Sequence, residues 1–526
     1  MSERVPDVTV VTAVYNTMPY LTACLESLAH QTIGADRFEA LMVDDGSTDG
    51  SAAELERFAA AYPDVFRVFR QENSGGPAAP SNLALEHAKG RYVIFLGSDD
   101  YLGPESLERM VASADEWGSD VLLCKMVGVG GRKAPPVFER TVPDAEYPSN
   151  DLAWALSNTK LFRRELIERE GLRFPVDMEV LSDGPFTMRA MAKASKVSIL
   201  ADYDHYFAVK REKAENLTYA TPPFGWVDAA DRLVATTYEL FPEGQGRDDL
   251  IYRVFSREID KMLQPQFLKT QHAERHKFWE AAAHFADLHL TEAIRERLPS
   301  IKRVKVSLAQ AREFALLEEA IDEPAPRFLV EDGRIYACYQ GFRDEEKDFP
   351  DSWFEAGNER VLVRFARGVE PIDLAWPQDP EDGHCLEYLF RLPVAGLPAE
   401  AVTAGAERAA KSGKPRRRAA VPVEEVAPIA VPAAVSVRED GDSAVVTVRL
   451  PLHALDSGKW SLRTRVALGE WVYDLPLKIV PEPVERQGRV RTVTAGRDDK
   501  RSLVITVEPP KRGLAGRLAR FASKRK

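Results

Sequence analysis

Residues 91–101, RYVIFLGSDDY, combine an unbroken apolar run with two adjacent carboxylates, Asp99 and Asp100. Continuous apolar runs are typical of buried strands, and a carboxylate at the carboxyl end of such a strand lies where open α/β sheets bind ligands. The two acids therefore predict a site for a divalent metal ion and a diphosphate. Gly97 stands where an Asp-x-Asp metal motif would have its first acid.

A second group of acids, in VDDGSTDG at 43–50, also follows a strand-like run. Acids at a strand end followed by Gly, Ser and Thr form a turn that can accept hydrogen bonds from a base or a ribose while capping the next helix. We predict a ligand role for Asp45 and a capping role for Asp49. Asp100 has two interpretations: it faces an acceptor, or it is an acid at the entry of the helix that follows Pro104.

The elements that must hold these residues alternate between strands and helices over about the first 220 residues. Leu21, Cys24, Leu25 and Leu28, for example, recur at the spacing of one helix face. Alternation of this kind predicts a mostly parallel sheet covered on both faces. The predicted strands are residues 8–14, 39–43, 65–69, 92–96 and 120–126.

The length of 526 residues predicts three or more units. We predict an α/β domain at 1–225. Apolar residues at helical spacing with almost no strand-like alternation predict a helical linker at 226–324. Strand-like runs then predict an all-β, sandwich-like module at 325–510.

Three local features stand out in the last third of the chain. Asp332 and Gly333 separate two strand-like runs and predict a hairpin; another strand-like run lies at 361–365. An Ala/Pro-rich insert at about 396–434, which includes the basic run 414–418, lacks the apolar periodicity of a core, so we predict that it is disordered. The basic tail, 511–526, is either an amphipathic helix on an anionic membrane surface or a frayed terminus.

Charge and composition exclude some classes of partner. The net charge of -12 argues against a nucleic-acid binder, because phosphate recognition leaves a basic footprint. A nucleotide can still bind, since backbone amides, one Arg and a metal ion suffice. The four cysteines are far apart and predict free thiols in a reducing cytoplasm. Neither a secretory signal nor a membrane-spanning apolar run is expected.

The motifs VTAVYN, SLAHQT, VDDGSTD, NSGG and SDD, in this order over residues 7–126, resemble those of family 2 glycosyltransferases, which have the Rossmann-like GT-A fold. Later motifs, among them LSNTKLFRRELI, LSDGPFTMR and YFAVKRE, look like those of the wall teichoic acid β-N-acetylglucosaminyltransferases that decorate poly(ribitol phosphate). The resemblance implies a helical linker and C-terminal β modules that trimerise.

The same resemblance assigns roles to single residues. It places Asp183 at the position of the catalytic base and Asp99 at that of the metal ligand, with Mn²⁺ or Mg²⁺ as cofactor. Asp45 would bind uracil or ribose, Asn73 would help to hold the nucleotide, and Arg211 would contact the diphosphate. The implied nucleotide-sugar site comprises Ala13, Tyr15, Asp45, Asn73, Ser81, Ser98, Asp99 and Arg211.

Three positions depart from the family pattern near the leaving group: Gly97 replaces an acid, Ser81 an Arg, and Glu215 stands near the place of a His. Three interpretations stay open. Asp99 alone holds the metal ion with the diphosphate completing its shell, the site is adapted to a different nucleotide sugar, or the domain is a degenerate glycosyltransferase that serves as a non-catalytic polymer-binding or scaffold module.

The resemblance favours an enzyme. We predict inverting transfer of a sugar, N-acetylglucosamine from its UDP donor, to a hydroxyl of an anionic cell-envelope polymer such as teichoic acid. The enzyme would be a homo-oligomer, trimeric by resemblance, in the cytoplasm or peripheral on the inner face of the cell membrane.

Overall fold

A computed structural model of the protein describes residues 5–211, 223–322, 327–356, 369–377, 385–408, 421–422, 426–468, 471–475, 484–487, 492–497 and 503–508. The chain divides into two compact units, Met1–Ile294 and Arg295–Lys526.

The first unit is built around an α/β domain with ten strands and seven α-helices over the described residues up to 211. The strands are β1 (Val8–Val14), β2 (Phe38–Asp44), β3 (Phe66–Arg70), β4 (Tyr92–Phe95), β5 (Tyr101–Leu102), β6 (Val121–Cys124), β7 (Met126–Val129), β8 (Lys160–Arg163), β9 (Val197–Leu200) and β10 (Tyr206–Val209). The helices are α1 (Leu21–Ala29), α2 (Ser51–Ala61), α3 (Ala78–His87), α4 (Ser106–Trp117), α5 (Asn150–Ala153), α6 (Arg164–Arg169) and α7 (Asp183–Lys193).

Seven of the strands form one sheet in the order β3-β2-β1-β4-β8-β6-β9. Its neighbouring strands are parallel except at β8, which runs antiparallel to both β4 and β6. The predicted mostly parallel α/β sheet is confirmed. The reversed strand β8 is the feature that the alternation of strands and helices did not predict.

Side chains from successive residues of the sheet pack on opposite faces. Val8, Val10 and Val14 of β1 belong to the apolar cluster that contains the buried residues of α1, α2 and α4. On the other face, Phe95 packs edge-on against Phe186 of α7, with ring centroids 5.5 Å apart. Both faces are therefore covered, which explains why these strands are continuously apolar.

The predicted strand 120–126 is confirmed over Val121–Cys124, but it breaks at Lys125, where a second strand begins. The Lys125 carbonyl accepts hydrogen bonds from His205 and Tyr206, and its N–H donates to Leu200. This exchange of partners ends β6 and starts β7, which pairs with β10 in a second sheet of order β5-β10-β7.

A helical region follows, and it confirms the predicted helical linker. It contains α8 (Pro223–Leu240), α9 (Gln245–Val254), α10 (Asp260–Met262), α11 (His272–His289), α12 (Glu292–Arg297), α13 (Ser300–Gln310) and α14 (Phe314–Asp322). A π-helical segment, Phe255–Ile259, connects α9 to α10.

The rest of the second unit is rich in β-structure, as predicted. Its strands are β11 (Arg327–Glu331), β12 (Arg334–Cys338), β13 (Glu370–Ala375), β14 (Cys385–Leu392), β15 (Val394–Ala395), β16 (Val402–Arg408), β17 (Val421–Pro422), β18 (Val431–Pro432), β19 (Ala434–Asp440), β20 (Ser443–Pro451), β21 (Gly458–Leu468), β22 (Trp471–Leu475), β23 (Val484–Gln487), β24 (Thr492–Arg497) and β25 (Leu503–Glu508). Their sheets have the orders β12-β11-β15, β13-β14-β20-β19 and β17-β22-β21-β25-β24-β23, with β16 paired to β18 and β21.

The Asp332-Gly333 turn joins β11 and β12 in the predicted hairpin, and both residues have positive φ, 49° and 74°. A two-residue turn of this kind needs positive φ at both positions, which Asp and Gly tolerate. The prediction of disorder at 396–434 is wrong over Val402–Arg408, which pairs along its length with β21. Small residues are enough to form a strand there, because pairing with β21 provides partners for the backbone hydrogen bonds and buries Ala404 and Ala406.

Several predictions concern residues that are not described. The strand-like run at 361–365, the basic run at 414–418, the basic tail and Glu215 all lie outside the described residues. In the described parts of the chain, no helix combines the length and the apolar character needed to cross a membrane.

Candidate active site

Three parallel strands, β2, β1 and β4, end side by side at one edge of the large sheet, and predicted site residues follow each of them. Asp45 comes directly after β2, Tyr15 directly after β1, and the sequence 97–100 shortly after β4. The ladder continues past the strand ends, since Asp45 N–H donates to the Val14 carbonyl at 2.9 Å. The sheet therefore gathers these residues where open α/β sheets bind ligands.

Asp45 is buried and holds the loop that contains the predicted nucleotide residue Asn73. Its carboxylate accepts hydrogen bonds from Gln71 Nε2 at 2.6 Å and from both the N–H and the hydroxyl of Ser74. Asn73 Nδ2 donates to the Asp45 carbonyl at 3.2 Å, and the Asn73 residue is exposed. Asp45 and Asn73 thus lie together, with Asn73 nearer to solvent.

A chain of hydrogen bonds connects the VDDGSTDG turn to the SDD sequence. Asp49 Oδ1 accepts from the Ser51 hydroxyl at 2.7 Å, and Ser51 Oγ accepts from Thr17 N–H at 3.0 Å. The Thr17 and Ser98 hydroxyls are 2.9 Å apart. Asp49 Oδ1 also accepts from Ser51 N–H, the first residue of α2, which is the capping role predicted for it.

The side chain of Asp100 takes part in a buried network. Asp100 accepts hydrogen bonds from the Tyr206 hydroxyl at 2.7 Å, from Val209 N–H at 2.7 Å and from Arg132 Nη1 at 3.3 Å. Burial and the neighbouring charge of Asp99 raise the pKa of Asp100 to about 6, although these three donors act in the opposite direction. Asp100 neither faces an acceptor nor caps α4; it joins the second sheet to the edge of the first.

Asp99 and Arg211, two predicted diphosphate residues, form an ion pair. Arg211 Nε lies 2.8 Å from Asp99 Oδ2, and both side chains are mostly buried. Asp99 comes from the end of β4 and Arg211 from the chain after β10, so the two sheets meet at this pair. A carboxylate beside a guanidinium can serve a metal diphosphate, because each binds one component of it.

A side chain at Gly97, the position of the missing acid of the motif, would crowd the carboxylates of Asp100 and Asp99. A Cβ atom added there would lie 2.8 Å from Asp100 Oδ2 and 3.2 Å from Asp99 Oδ1. Gly97 N–H donates to the Tyr206 hydroxyl at 2.9 Å. Among the described residues, no group of three or more His, Cys, Asp or Glu side chains could hold a metal ion by itself. The site therefore fits a divalent cation only if donor phosphate oxygens supply most of its shell.

Asp183, the predicted base, is the first residue of α7 and is partly buried. Burial raises the pKa of Asp183, whereas the positive charges of Lys160 and Arg253 and the Asn158 N–H lower it. Lys160 starts β8 and pairs with Leu123 near the end of β6. Because β8 is reversed, its amino end lies at the edge where β4 and β6 end, so Asp183 and Asp99 share that edge.

The other predicted residues differ in their exposure. The Tyr15 side chain is 48% exposed beyond β1, where a nucleotide base could stack on it. Ala13 lies inside β1, opposite Val43. Its small side chain would allow a nucleotide to approach the strand closely. Ser98 is held by Thr17, as described above. Ser81 is buried in α3 at 5% exposure and presents little surface to a ligand.

Sequence reasoning missed the residues that hold the acids in place. Tyr206 lies in an aromatic strand, and nothing in that pattern indicates that its hydroxyl contacts Asp100. Thr17 is an isolated polar residue before α1. Lys160 carried a usable signal, since a lysine at the start of an apolar run such as KLF is unexpected in a buried strand.

The sheet and its edge site define a GT-A type glycosyltransferase domain. Residues 9–174 match the model of glycosyl transferase family 2, and residues 223–321 match that of the glycosyl transferase TarS linker domain. The first domain therefore belongs to glycosyltransferase family 2, and it is joined to a TarS-type linker. The resemblance noted from the sequence motifs is confirmed.

Two curated relatives refine this assignment. The chain is 37% identical over 229 residues to the poly(ribitol-phosphate) beta-glucosyltransferase of Bacillus spizizenii, which covers 43% of this chain and 36% of that protein. It is 39% identical over 205 residues to the poly(ribitol-phosphate) beta-N-acetylglucosaminyltransferase TarS of Staphylococcus aureus, covering 39% and 35% of the two chains. The matched regions thus span only about a third of the length of these relatives.

Solved structures support the same grouping. The crystal structure of S. aureus TarS 1-349 in complex with UDP-GlcNAc has a TM-score of 0.56 and 29% identity, covering 64% of this chain and 97% of that one. The crystal structure of S. aureus TarS has a TM-score of 0.59 at 21% identity and covers 97% of this chain and 86% of that one. The second match shows that the fold is shared through the C-terminal β-structure.

Proposed function

We propose that the protein is an inverting glycosyltransferase that moves a sugar from a UDP-sugar to a hydroxyl of poly(ribitol phosphate) teichoic acid. The observation that carries the proposal is the meeting, at one sheet edge, of the Asp99–Arg211 pair with the partly buried Asp183. The names of two relatives support the polymer as acceptor.

The chemistry follows from the roles of these residues. Asp183 would accept the proton of the attacking hydroxyl while its oxygen forms a bond to the anomeric carbon of the sugar. The bond from that carbon to the diphosphate breaks, and its electron pair leaves with UDP. Attack from the face opposite the leaving group inverts the anomeric centre.

The departing diphosphate carries negative charge that the site must stabilise. Arg211 can bind phosphate oxygens through its planar guanidinium. A Mn²⁺ or Mg²⁺ ion held by Asp99 and by the donor phosphates would neutralise further charge on the leaving group. Asp100 is less available than Asp99 as a metal ligand, because it is buried and its oxygens already accept hydrogen bonds from three groups.

On the nucleotide side we propose that the loop fixed by Asp45 receives the uridine. The exposed Tyr15 ring would stack on the base, and Asn73 and Ser98 would contact the ribose and the phosphates. Ala13 would allow close approach of β1 to the nucleotide, while Ser81 would shape the wall behind it. Of the predicted donor residues, Ser81 has the least support because it is buried.

We propose N-acetylglucosamine as the sugar, since a solved relative was crystallised with UDP-GlcNAc. The glucosyltransferase name of the other relative makes UDP-glucose the first alternative to test. The acceptor would be met in the cytoplasm, or at the inner face of the cell membrane with the basic tail in peripheral contact. A homo-oligomer, trimeric by resemblance, stays a prediction.

The direct test is an assay of UDP release with UDP-GlcNAc or UDP-glucose, with and without purified poly(ribitol phosphate), in Mn²⁺ or Mg²⁺. We expect polymer-dependent release with one donor. Calorimetry with UDP and Mn²⁺ provides a second readout, and the Asp99→Ala variant should lose roughly 10- to 100-fold in affinity because a charged interaction is removed.

One observation favours a second candidate function, a non-catalytic polymer-binding module. The described residues lack a metal cluster of their own, and Gly97 cannot be replaced by an acid without displacing Asp100. Binding of polymer without binding of UDP, and without UDP release, would support this module and contradict the enzyme.

A further inference from the structure

Tyr206 is a buried tyrosine whose hydroxyl makes two hydrogen bonds to the turn that follows β4. It is 1% exposed and is the first residue of β10, the central strand of the second sheet. Its hydroxyl donates to Asp100 Oδ2 at 2.7 Å and accepts from Gly97 N–H at 2.9 Å. Asp100 N–H also donates to the Gly97 carbonyl at 3.0 Å, which closes the turn. One hydroxyl therefore binds both ends of the turn that contains Asp99.

The same carboxylate binds the chain that leads to Arg211. Asp100 Oδ1 accepts a hydrogen bond at 2.7 Å from the N–H of Val209, the last residue of β10. Arg132 Nη1 lies 3.3 Å from Asp100 Oδ1 and donates to the Val209 carbonyl at 3.1 Å. Both backbone polar groups of Val209 are thus bound two residues before Arg211. The contacts hold the two members of the Asp99–Arg211 pair from either side.

The contact between Tyr206 and Asp100 is closely linked to the glycine at position 97. The oxygen that accepts from Tyr206, Asp100 Oδ2, is the atom that a Cβ at Gly97 would approach to 2.8 Å. A side chain at position 97 would therefore press on the carboxylate that Tyr206 holds. The missing acid of the motif and this hydrogen bond belong to one local arrangement.

Burial alone does not account for this arrangement. A buried tyrosine hydroxyl needs a hydrogen-bond partner, and a single backbone carbonyl is enough. The Tyr206 hydroxyl instead binds a carboxylate and an N–H on the two sides of Asp99. Hydrogen bonds behind the residues that contact a metal ion orient those residues and affect how tightly the ion is bound.

We propose that Tyr206 is a positioning residue for the donor diphosphate and its divalent cation, because its hydroxyl and Asp100 together hold Asp99 and Arg211 in fixed relative positions. The proposal rests on the proposed function, since it assumes that Asp99 and Arg211 bind these two groups. Tyr206 touches neither the donor nor the cation in this scheme. It acts through the turn 97–100 and the end of β10.

The test is calorimetry on the full chain carrying Tyr206→Phe, with two ligands. UDP in Mn²⁺ needs the diphosphate part of the site, whereas UMP without metal lacks the second phosphate and reports the nucleotide part. We expect Tyr206→Phe to weaken UDP binding in Mn²⁺ roughly 5- to 10-fold and to leave UMP binding unchanged. A purely structural role would weaken both ligands alike.

Tyr203→Phe is the matched control. It removes a hydroxyl three residues earlier, from a half-buried ring that lies against Arg109, with the guanidinium carbon 5.0 Å from the ring centroid. Both ligands should bind to this variant as they do to the unmodified protein.

Gly97→Ala reaches the same contact from the other side, because its Cβ crowds Asp100 Oδ2. We expect the same selective loss of UDP binding in Mn²⁺. The double variant with Tyr206→Phe should lose little more than either single variant, since both changes break one contact. If thermal unfolding shows that Tyr206→Phe does not fold, Gly97→Ala alone provides the test.

A selective loss for UDP in Mn²⁺, with effects that are not additive, supports the proposal. Unchanged UDP binding, equal weakening of UDP and UMP, or fully additive losses overturn it. Failure of the proposed function looks different: the unmodified protein would then release no UDP in the presence of polymer, whereas failure of the positioning role leaves that release intact.

Discussion

On the donor side of the candidate site, Asp45 and Asp49 accept hydrogen bonds from backbone N–H groups and from neutral hydroxyl and amide side chains. On the base side, Asp183 lies near two buried cations, Lys160 and Arg253. Neutral hydrogen-bond donors fix the position of a carboxylate, and no second titrating group is involved. Buried cations instead lower its pKa, against the effect of burial. The acids of the VDDGSTDG turn are therefore held by neutral groups, whereas the surroundings of Asp183 are charged.

The largest expected effect is a loss on the base side with no change on the donor side. Asp183→Asn removes the proposed base and should lower turnover roughly 10²- to 10⁴-fold, while UDP binding stays the same because no donor contact changes. Turnover is measured by UDP release and binding by calorimetry. If the Asp183→Asn variant retained full turnover, the base would have to be sought elsewhere at the edge.

A smaller effect tests how rigid the donor side is. Gly97→Asp restores the acid of the common motif, but its Cβ would lie 2.8 Å from Asp100 Oδ2. We expect a loss of about 1–3 kcal/mol of stability in urea unfolding, because the Asp100 network must move. Gly76→Asp is the control, since an added Cβ there meets no atom within 4 Å. A stable Gly97→Asp protein with tighter Mn²⁺ binding would show that the donor side adapts easily.

The smallest expected effect concerns one hydroxyl group. Thr17→Val keeps the shape of the side chain but loses the contacts of the Thr17 hydroxyl with the Ser98 hydroxyl and the Tyr15 carbonyl. A net cost near 1 kcal/mol corresponds to roughly fivefold weaker UDP binding by calorimetry, with no shift in the pH profile. Thr17→Ser, which keeps the hydroxyl, should restore affinity. Equal weakening in both variants would mean that the methyl group, rather than the hydrogen bond, matters.

The same contrast explains what could be predicted from the sequence. Asp45, Asp49 and Asp99 follow strands within a few residues, so a local pattern of apolar run, acid and Gly or Ser indicates both the turn and its position. The Asp332-Gly333 hairpin was predictable for the same reason. These features depend on short stretches of chain.

The features that were missed depend on residues far apart in the sequence. Tyr206 contacts Asp100 across more than a hundred residues, and the charge of Arg253, in the linker, lowers the pKa of Asp183. The strand at 402–408 is specified by its partner β21 more than by its own Ala- and Gly-containing sequence. Propensity and periodicity do not report such contacts, because tertiary pairing decides them.

The reversed strand β8 also bears on the order in which the site can assemble. Most donor-side contacts, from Thr17 to Ser98, close within the first hundred residues of the chain, whereas the groups that affect Asp183 come from β8, α7 and Arg253 of the linker. Contacts between residues distant in sequence form at a higher cost in loop-closure entropy and tend to form later during folding. A nascent chain could thus complete its donor pocket before the charges around Asp183 come together, so that catalytic competence would arrive last.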